Sequence, residues 1–295
     1  MSPTTSDREA IASGRPAAAA SGRPAAAASL RVVVVYPDLL GTYGDGGNAL
    51  VLAKRAQWRG VAATVLEAPS DEPLPDGDVY CLGGGEDDPQ ARAARMLEAD
   101  GTLRRAVLGG AVVLAVCAGY QILGRSFAAG DGTLRSGLGL LDVRTVRGPS
   151  RAVGEVRAEP HRGDGDGPLS VADTLSGFEN HAGITVRGPD LEPLGRVVTG
   201  TGNGDGTDGV ISGRIVGTYL HGPVLARNPA LADLLLGWAL GSSGALAPLD
   251  DERVQRLRRE RLAVPAPAAR SVGFLGAGFR AAARRASRFR SATGR

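Results

Sequence analysis

Cys117 stands where an apolar run, residues 111–116, meets the small pair Ala118 and Gly119. A thiol at such a junction would sit on a sharp strand-to-helix turn, its sulfur exposed and its thiolate favoured by the amides that open the helix. That is the setting of a nucleophile. A free cysteine is as readily a small buried apolar side chain, so the local pattern leaves both readings open. Cys81 also ends a strand-like run, but three glycines follow it and it reads as a core residue. A cysteine nucleophile needs a base, and the sequence offers His161, His181 and His221. His221, in GTYLHG, closes an apolar segment with a glycine behind it to turn the chain away, as a residue at a strand edge would. His161 lies among glycines and aspartates and reads as exposed and incidental. His181, in FENHAG, reads either as a structural histidine beside a site or as a direct substrate contact.

The run Gly83, Gly84 and Gly85 follows a strand and lets backbone approach a ligand closely. One amide from this loop and the amide of Ala118 can converge on the negative oxygen of a tetrahedral intermediate. A phosphate loop is the other use of such glycines, but no G-x-x-x-x-G-K-[ST] segment exists to support an ATP site.

These residues need a scaffold, and the hydrophobic pattern supplies one. Residues 31–36 form a β-branched apolar strand, and residues 48–58 have the composition of a helix after a glycine-rich loop. Further strands are expected at 61–67 and 78–82, with a helix at 89–100. The nearly uninterrupted apolar run 111–116 reads as a central parallel strand covered on both faces, followed by a helix over 118–123. Strands alternating with helices from Leu30 to Leu123 predict an α/β fold with a mostly parallel central sheet and active residues at its carboxyl edge. Residues 154–187 and 194–219 look richer in strands and turns, and residues 228–240 read as a closing helix. One domain over 30–242 is the simplest division. Before it, SGRPAAAA at 13–20 is repeated at 21–28, and residues 1–29 read as a disordered extension. After it, residues 243–295 form an Arg-rich extension, expected to be flexible apart from a short helix over 250–262 that Pro265 and Pro267 stop.

Composition narrows the function classes. Two cysteines cannot build a disulfide framework or a four-thiolate metal site. No apolar run approaches the roughly 18 residues that cross a bilayer, and MSPTTSDREA is not a secretory leader. A cytoplasmic protein is expected. The formal charge of +3 is uneven: residues 251–295 carry twelve Arg against three acidic residues, so the tail is basic and the body acidic. Such a tail is a solvated segment, a docking arm or an anionic-membrane contact; nucleic acid is not expected as a partner.

The assembled motifs resemble the class I glutamine amidotransferases, in their cobyric acid synthase-like branch. They are YPDLLGTYGDGGN at 36–48, CLGGGEDDPQ at 81–90, VCAGYQILG at 116–124, FENHAGIT at 178–185 and GTYLHGPVLARNPALAD at 217–233. YGDGGN and GGGEDDPQ favour the cell-wall glutaminase subunits of lipid II isoglutaminyl synthase over the cobalamin enzymes. The resemblance covers residues 30–242. It implies a class I glutamine amidotransferase-like fold, Cys117 as nucleophile, His221 as base, and Gly84 or Gly85 with Ala118 as oxyanion donors. It implies Arg151, in SRAVGEV, as a contact for the glutamine carboxylate, with a solvent-facing surface arginine as the alternative. Tyr120 and Gln121 fit either substrate-pocket lining or helix packing.

The resemblance further implies a MurT-like subunit of the Mur-ligase family as partner, L-glutamine as substrate, and lipid II reached through the complex at the inner membrane face. No cofactor is expected in this chain, with ATP and Mg in the partner. Other readings are an amidotransferase subunit for a cobyrinate-like substrate or another ligase, and a non-catalytic binding subunit. In one respect the chain departs from its relatives. Many class I amidotransferases carry a carboxylate two residues after the histidine, whereas here His221-Gly222-Pro223 has none. The resemblance points to an aspartate from the MurT-like partner in that role, and a distant residue of this chain is the alternative.

Overall fold

The computed structural model describes residues 29–161, 174–242 and 245–264. Twelve strands are formed among them: β1 (Leu30–Val35), β2 (Ala63–Ala68), β3 (Val79–Leu82), β4 (Val112–Val116), β5 (Ser126–Ala128), β6 (Leu134–Ser136), β7 (Val143–Pro160), β8 (Leu175–Arg187), β9 (Gly195–Thr199), β10 (Thr207–Asp208), β11 (Val210–Ser212) and β12 (Ile215–Thr218). The helices are α1 (Pro37–Leu40), α2 (Gly47–Gln57), α3 (Asp87–Asp100), α4 (Thr102–Leu108), α5 (Ala118–Leu123), α6 (Val224–Arg227), α7 (Pro229–Ala239) and α8 (Glu252–Ala263).

The first sheet has the order β11-β12-β4-β3-β1-β2. Every pairing in it is parallel except the edge hairpin β11–β12. Parallel strands must be joined by crossovers, and the helices that make them cover both sheet faces, so the central strands carry apolar side chains on both sides. β4 shows this most fully: all five residues of VVLAV are buried. Leu114 lies in register with Cys81 of β3 on one side and Val216 of β12 on the other. The expected alternation is observed, with boundaries displaced by one or two residues. Three short helices, α1, α4 and α6, were not expected; α1 and α6 have four residues each, barely one turn, and α4 has seven, too few for a clear helical period.

A second, mainly antiparallel sheet, β10-β9-β7-β5-β6 with β8 paired to β7, takes in segment 154–187 and the first part of 194–219 together with β5, β6 and the start of β7, which were not expected, whereas β11 and β12 at the end of 194–219 join the first sheet. Its longest ladder, β7 with β8, shifts register between Arg147 and Ala152. An isolated bridge between Phe178 of β8 and His221 links this sheet to the end of the first one.

The helix expected at 250–262 is present as α8. A buried guanidinium ties its approach to the body: Arg55 of α2 donates to Asp233 of α7 at 2.7 Å and to Asp251 at 2.8 Å. Arg258 donates to Arg227 O at 2.7 Å and to Asn228 Oδ1 at 3.0 Å. The first compact unit therefore continues past residue 242 and ends at Arg258; the second begins at Arg259. The repeated N-terminal segment through residue 28 and the Arg-rich tail from residue 265 lie outside the described residues. Among the described residues no helix is long and apolar enough to cross a membrane.

Truncation of the central strand tests the packing. Leu114→Ala removes a side chain with no solvent exposure and is expected to cost about 2–5 kcal/mol of stability, read from urea denaturation midpoints at constant slope.

Candidate active site

Four strands of the parallel sheet end at one edge, and each hands the chain to a segment with a polar or glycine function. After β1 come Tyr43 and Asp45, after β3 the glycines 83–85, after β4 Cys117, and after β12 His221. Cys117 has φ 52° and ψ −105°, a left-handed conformation that costs a non-glycine residue about 1–3 kcal/mol and persists only where the surroundings impose it. Its amide donates to Thr218 O at 2.8 Å, which holds the turn against β12. Gly119, two residues on, has no room for a side chain, since a Cβ there would stand 2.6 Å from Leu82 Cβ and 2.9 Å from its carbonyl oxygen. Strand, turn and helix are thereby pressed onto the end of β3, as the sharp turn predicted for Cys117 requires.

His221 is 2% exposed and Cys117 6%. The imidazole donates through Nδ1 to Asp45 Oδ2 at 2.8 Å. Nε2 is buried without a well-aligned partner, and the titratable group on that side is the Cys117 thiol. Burial by itself would lower the histidine pKa, but hydrogen bonding to Asp45 and Cys117, reinforced by their charges, raises it to about 10. Tyr43 packs over the ring with centroids 4.6 Å apart. A carboxylate thus stands beside His221 within this chain. Of the two sources expected for an acid, the partner and a distant residue of this chain, the fold brings the second beside the imidazole, joining residues 176 positions apart.

Asp45 also settles which loop amide is available. The Gly84 N–H donates to Asp45 Oδ2 at 3.0 Å, so it is not free for an oxyanion. Gly85 and Ala118 both line the cavity beside Cys117, and neither amide has an acceptor among the described residues. Gly84 contributes by its lack of a side chain, because a Cβ would lie 2.7 Å from both His221 Cε1 and Tyr43 Cδ2.

The same cavity is lined by Gln121, Arg147, Arg151, Asn180 and His181. Arg151 lies at its mouth, donating to Asn180 Oδ1 at 2.6 Å and to the Tyr43 hydroxyl at 3.4 Å. It is exposed, as the surface alternative expected, and it also faces the cavity. Gln121 sits on the cavity floor, where it accepts from Gln90 at 2.8 Å and donates to Tyr219 at 3.1 Å. Tyr120 does not reach the cavity. It is fully buried on the other side of α5, edge-on to Tyr219 with ring centroids 5.5 Å apart, so helix packing accounts for it. His181 stacks on Tyr219 at 3.8 Å, with Nδ1 at 2.9 Å from Gly183 O and Nε2 at 3.2 Å from Glu179. Both ring nitrogens are engaged internally, so its role in the cavity wall is structural. His161 pairs with Glu192 at 2.6 Å away from the cavity, and burial pushes the Cys81 thiol up to about 12. Both readings of these residues as incidental to the site agree with their placement. Asp45, Gln90 and Asn180 were missed as site residues although each lies inside a quoted motif. Only the glycines around Asp45 hinted that its backbone was specially placed.

A parallel α/β sheet that gathers a cysteine, a histidine and an acid at its carboxyl edge, under a cavity lined with polar groups, places the protein in a class of cysteine–histidine α/β folds. The chain belongs to the CobB/CobQ-like glutamine amidotransferase family, whose domain matches residues 31–229. It is 37% identical over 212 residues to the GatD subunit of the glutamine-hydrolysing lipid II isoglutaminyl synthase of Staphylococcus aureus, covering 70% of this chain and 83% of that protein. To the GatD subunit of Streptococcus pneumoniae it is 35% identical over 217 residues, covering 72% and 80%. Among solved structures, PurLQS from Thermotoga maritima aligns with a TM-score of 0.47 at 19% identity, over 79% of this chain and 99% of that one.

The raised histidine pKa has a consequence for stability. A folded-state pKa near 10 against about 6.5 unfolded means the folded protein holds a proton that the unfolded chain releases. The stabilisation is complete below pH about 6.5 and is lost as pH rises through about 10. Urea denaturation of the wild type and of the double variant His221→Gln/Asp45→Asn should differ most at the acidic end of that window and converge towards its alkaline end.

Proposed function

We propose that this chain is the glutamine-hydrolysing subunit of a lipid II isoglutaminyl synthase, working in the cytoplasm with a MurT-like subunit of the Mur-ligase family. The observation that carries this reading is the meeting of Cys117 and His221 under the cavity, in a chain aligned with most of the length of two GatD subunits.

His221 Nε2 takes the thiol proton of Cys117, and the sulfur attacks the side-chain amide carbon of L-glutamine. The Gly85 and Ala118 amides receive the negative oxygen that forms. As the tetrahedral intermediate collapses, the C–N bond breaks and His221 returns its proton to the leaving nitrogen, releasing ammonia and leaving a glutamyl thioester on Cys117. Water, deprotonated by His221, then attacks the thioester carbon and frees glutamate and the thiol. Arg151, at the cavity mouth with Asn180 and Tyr43, suits the α-carboxylate of glutamine, whose planar two-oxygen end its guanidinium can fork. Ammonia passes to the partner, where ATP with Mg activates the α-carboxylate of D-glutamate in the lipid II stem peptide and amidation gives D-isoglutamine.

Cys117→Ala is expected to reduce glutamine-driven amidation by the complex to background while amidation from ammonium salts persists, as measured by mass spectrometry of the product. Normal glutamine hydrolysis by a folded Cys117→Ala complex would remove the nucleophile assignment. For Arg151, replacement by Ala should raise the glutamine KM roughly tenfold with little change in thermal midpoint, and Lys should recover only part of it. A wild-type KM in Arg151→Ala points to a purely superficial residue.

A further inference from the structure

The mouth of the cavity holds an acid that no step of the hydrolysis uses. We infer that the Glu86 carboxylate accepts the α-ammonium group of L-glutamine, standing opposite Arg151 and restricting the site to a free α-amino acid. The inference rests on the proposed glutaminase reading and concerns how that site tells its substrate from other primary amides.

Three observations carry it. The first is a gap between opposite charges. The Tyr43 hydroxyl donates to Glu86 Oε1 and accepts from Arg151 Nη2, each at 3.4 Å. The two charged groups can therefore be no farther apart than twice that distance, yet they form no ion pair, and among the described residues neither meets another opposite charge. An amino acid carries its carboxylate and its ammonium on one carbon, so a guanidinium and a carboxylate facing each other across such a gap match it in both charge and span. Contacts of 3.4 Å are long for a hydroxyl, and shorter charge-assisted bonds to a ligand can replace them. Burial raises the Tyr43 pKa and the charge of Glu86 adds to the rise, so the hydroxyl stays neutral and can serve both groups. The second observation is position in the chain. Glu86 follows Gly85, the proposed oxyanion donor, and caps α3 without a capping bond from its side chain. Its backbone is fixed, because its carbonyl accepts the Gln90 amide at 2.8 Å. Successive Cα atoms stand about 3.8 Å apart, close to the three-bond reach from the amide carbon of glutamine to its α-carbon. One loop can thus hold the oxyanion with an amide and the ammonium with the next side chain. The third is the placement of the other charged groups. Asp87 also lines the cavity, but its carboxylate is turned onto Gly130, where it leaves no room for a Cβ. Arg147 points the same way, donating to Gly130 O at 3.4 Å. Glu86 and Arg151 are left as the pair around Tyr43, which itself packs on the ring of His221. A primary amide with a carboxylate but no ammonium brings that carboxylate against Glu86 unpaired, a repulsion that selects against it. A glutamine side chain within a polypeptide has neither free group and loses both contacts.

The test uses the full chain assembled with the ligase subunit, as wild type, Glu86→Gln and Glu86→Asp. It compares L-glutamine with glutaramate, the same amide and carboxylate without the amino group. Wild type should prefer L-glutamine in kcat/KM. Glu86→Gln should shrink that preference roughly ten- to a hundredfold, the worth of a hydrogen bond to a charged group, and mainly through KM. Glu86→Asp should recover part of it. Glu86 is exposed, so the thermal midpoint of each variant should stay near that of the wild type. Binding without turnover gives a second readout: calorimetric titration of both ligands into the Cys117→Ala complex, with and without Glu86→Gln, should show the affinity ratio falling by a similar factor. A loss shared equally by the two substrates makes Glu86 merely structural and overturns the inference. A wild type that does not distinguish the two substrates, or an unchanged preference in Glu86→Gln, overturns it as well. If no form hydrolyses either amide, the proposed function fails, while calorimetry still decides the role of Glu86: a ratio that falls upholds it, and equal affinities, or no binding of either ligand, overturn it.

Discussion

The 2.8 Å contact between His221 Nδ1 and Asp45 Oδ2 is the constraint to which the surrounding loops conform. A buried carboxylate and imidazole are tolerated only when each compensates the other, so the loop after β1 and the end of β12 must be held together at hydrogen-bonding distance. The chain does so with backbone. Gly84 leaves room for the ring and lends its amide to the carboxylate, and Asn48 spans from the start of α2 to the Leu225 amide. The strained turn at Cys117 belongs to the same arrangement, because its amide is fixed by the carbonyl of Thr218 at the end of β12.

From the cavity floor downward runs a second set of polar groups, all buried. Gln90 donates to Gln121, Gln121 to Tyr219, and the Tyr219 hydroxyl lies 2.7 Å from that of Thr185, which in turn lies 2.9 Å from Thr145. Alongside it, Glu179 accepts the Thr201 and Gly202 amides and faces His181. A network whose members are all satisfied gives a cavity wall a single arrangement, whereas an apolar wall of the same volume would repack. The network also joins the sheets, since Gln90, Gln121 and Tyr219 belong to the parallel layer and Thr145, Glu179, His181 and Thr185 to the antiparallel one.

Close to this network, Asp208 is fully buried, bonded to the Thr218 hydroxyl and the Tyr219 amide, and burial raises its pKa to about 6. It pins the two residues that lead to His221. The antiparallel sheet contributes differently at the cavity mouth, where the register shift between Arg147 and Ala152 releases β7 from its partner. Arg151 falls within that irregular stretch. A regular ladder would have bound its backbone and turned alternate side chains away from the opening.

Much of this protein is determined by local sequence. Runs such as VVVV and VVLAV have no polar face, so they must be central strands, and glycine or a reactive side chain directly after them must stand at the sheet edge. That reasoning located Cys117, His221 and the glycine loop, because each depends only on neighbours a few positions away. The separation of Tyr120 from Gln121 could not be read in the same way, since adjacent residues on a one-and-a-half-turn helix point in different directions that only the packing of that helix distinguishes. Nor could the pairing of His221 with Asp45 be read from spacing. No local acid follows the histidine, and the one that serves lies on a loop after β1. The strand order β12-β4-β3-β1 sets the distance between the two segments. That order is decided by how the helices cover both faces of the parallel sheet, a property of the assembled layers that no stretch of neighbouring residues contains.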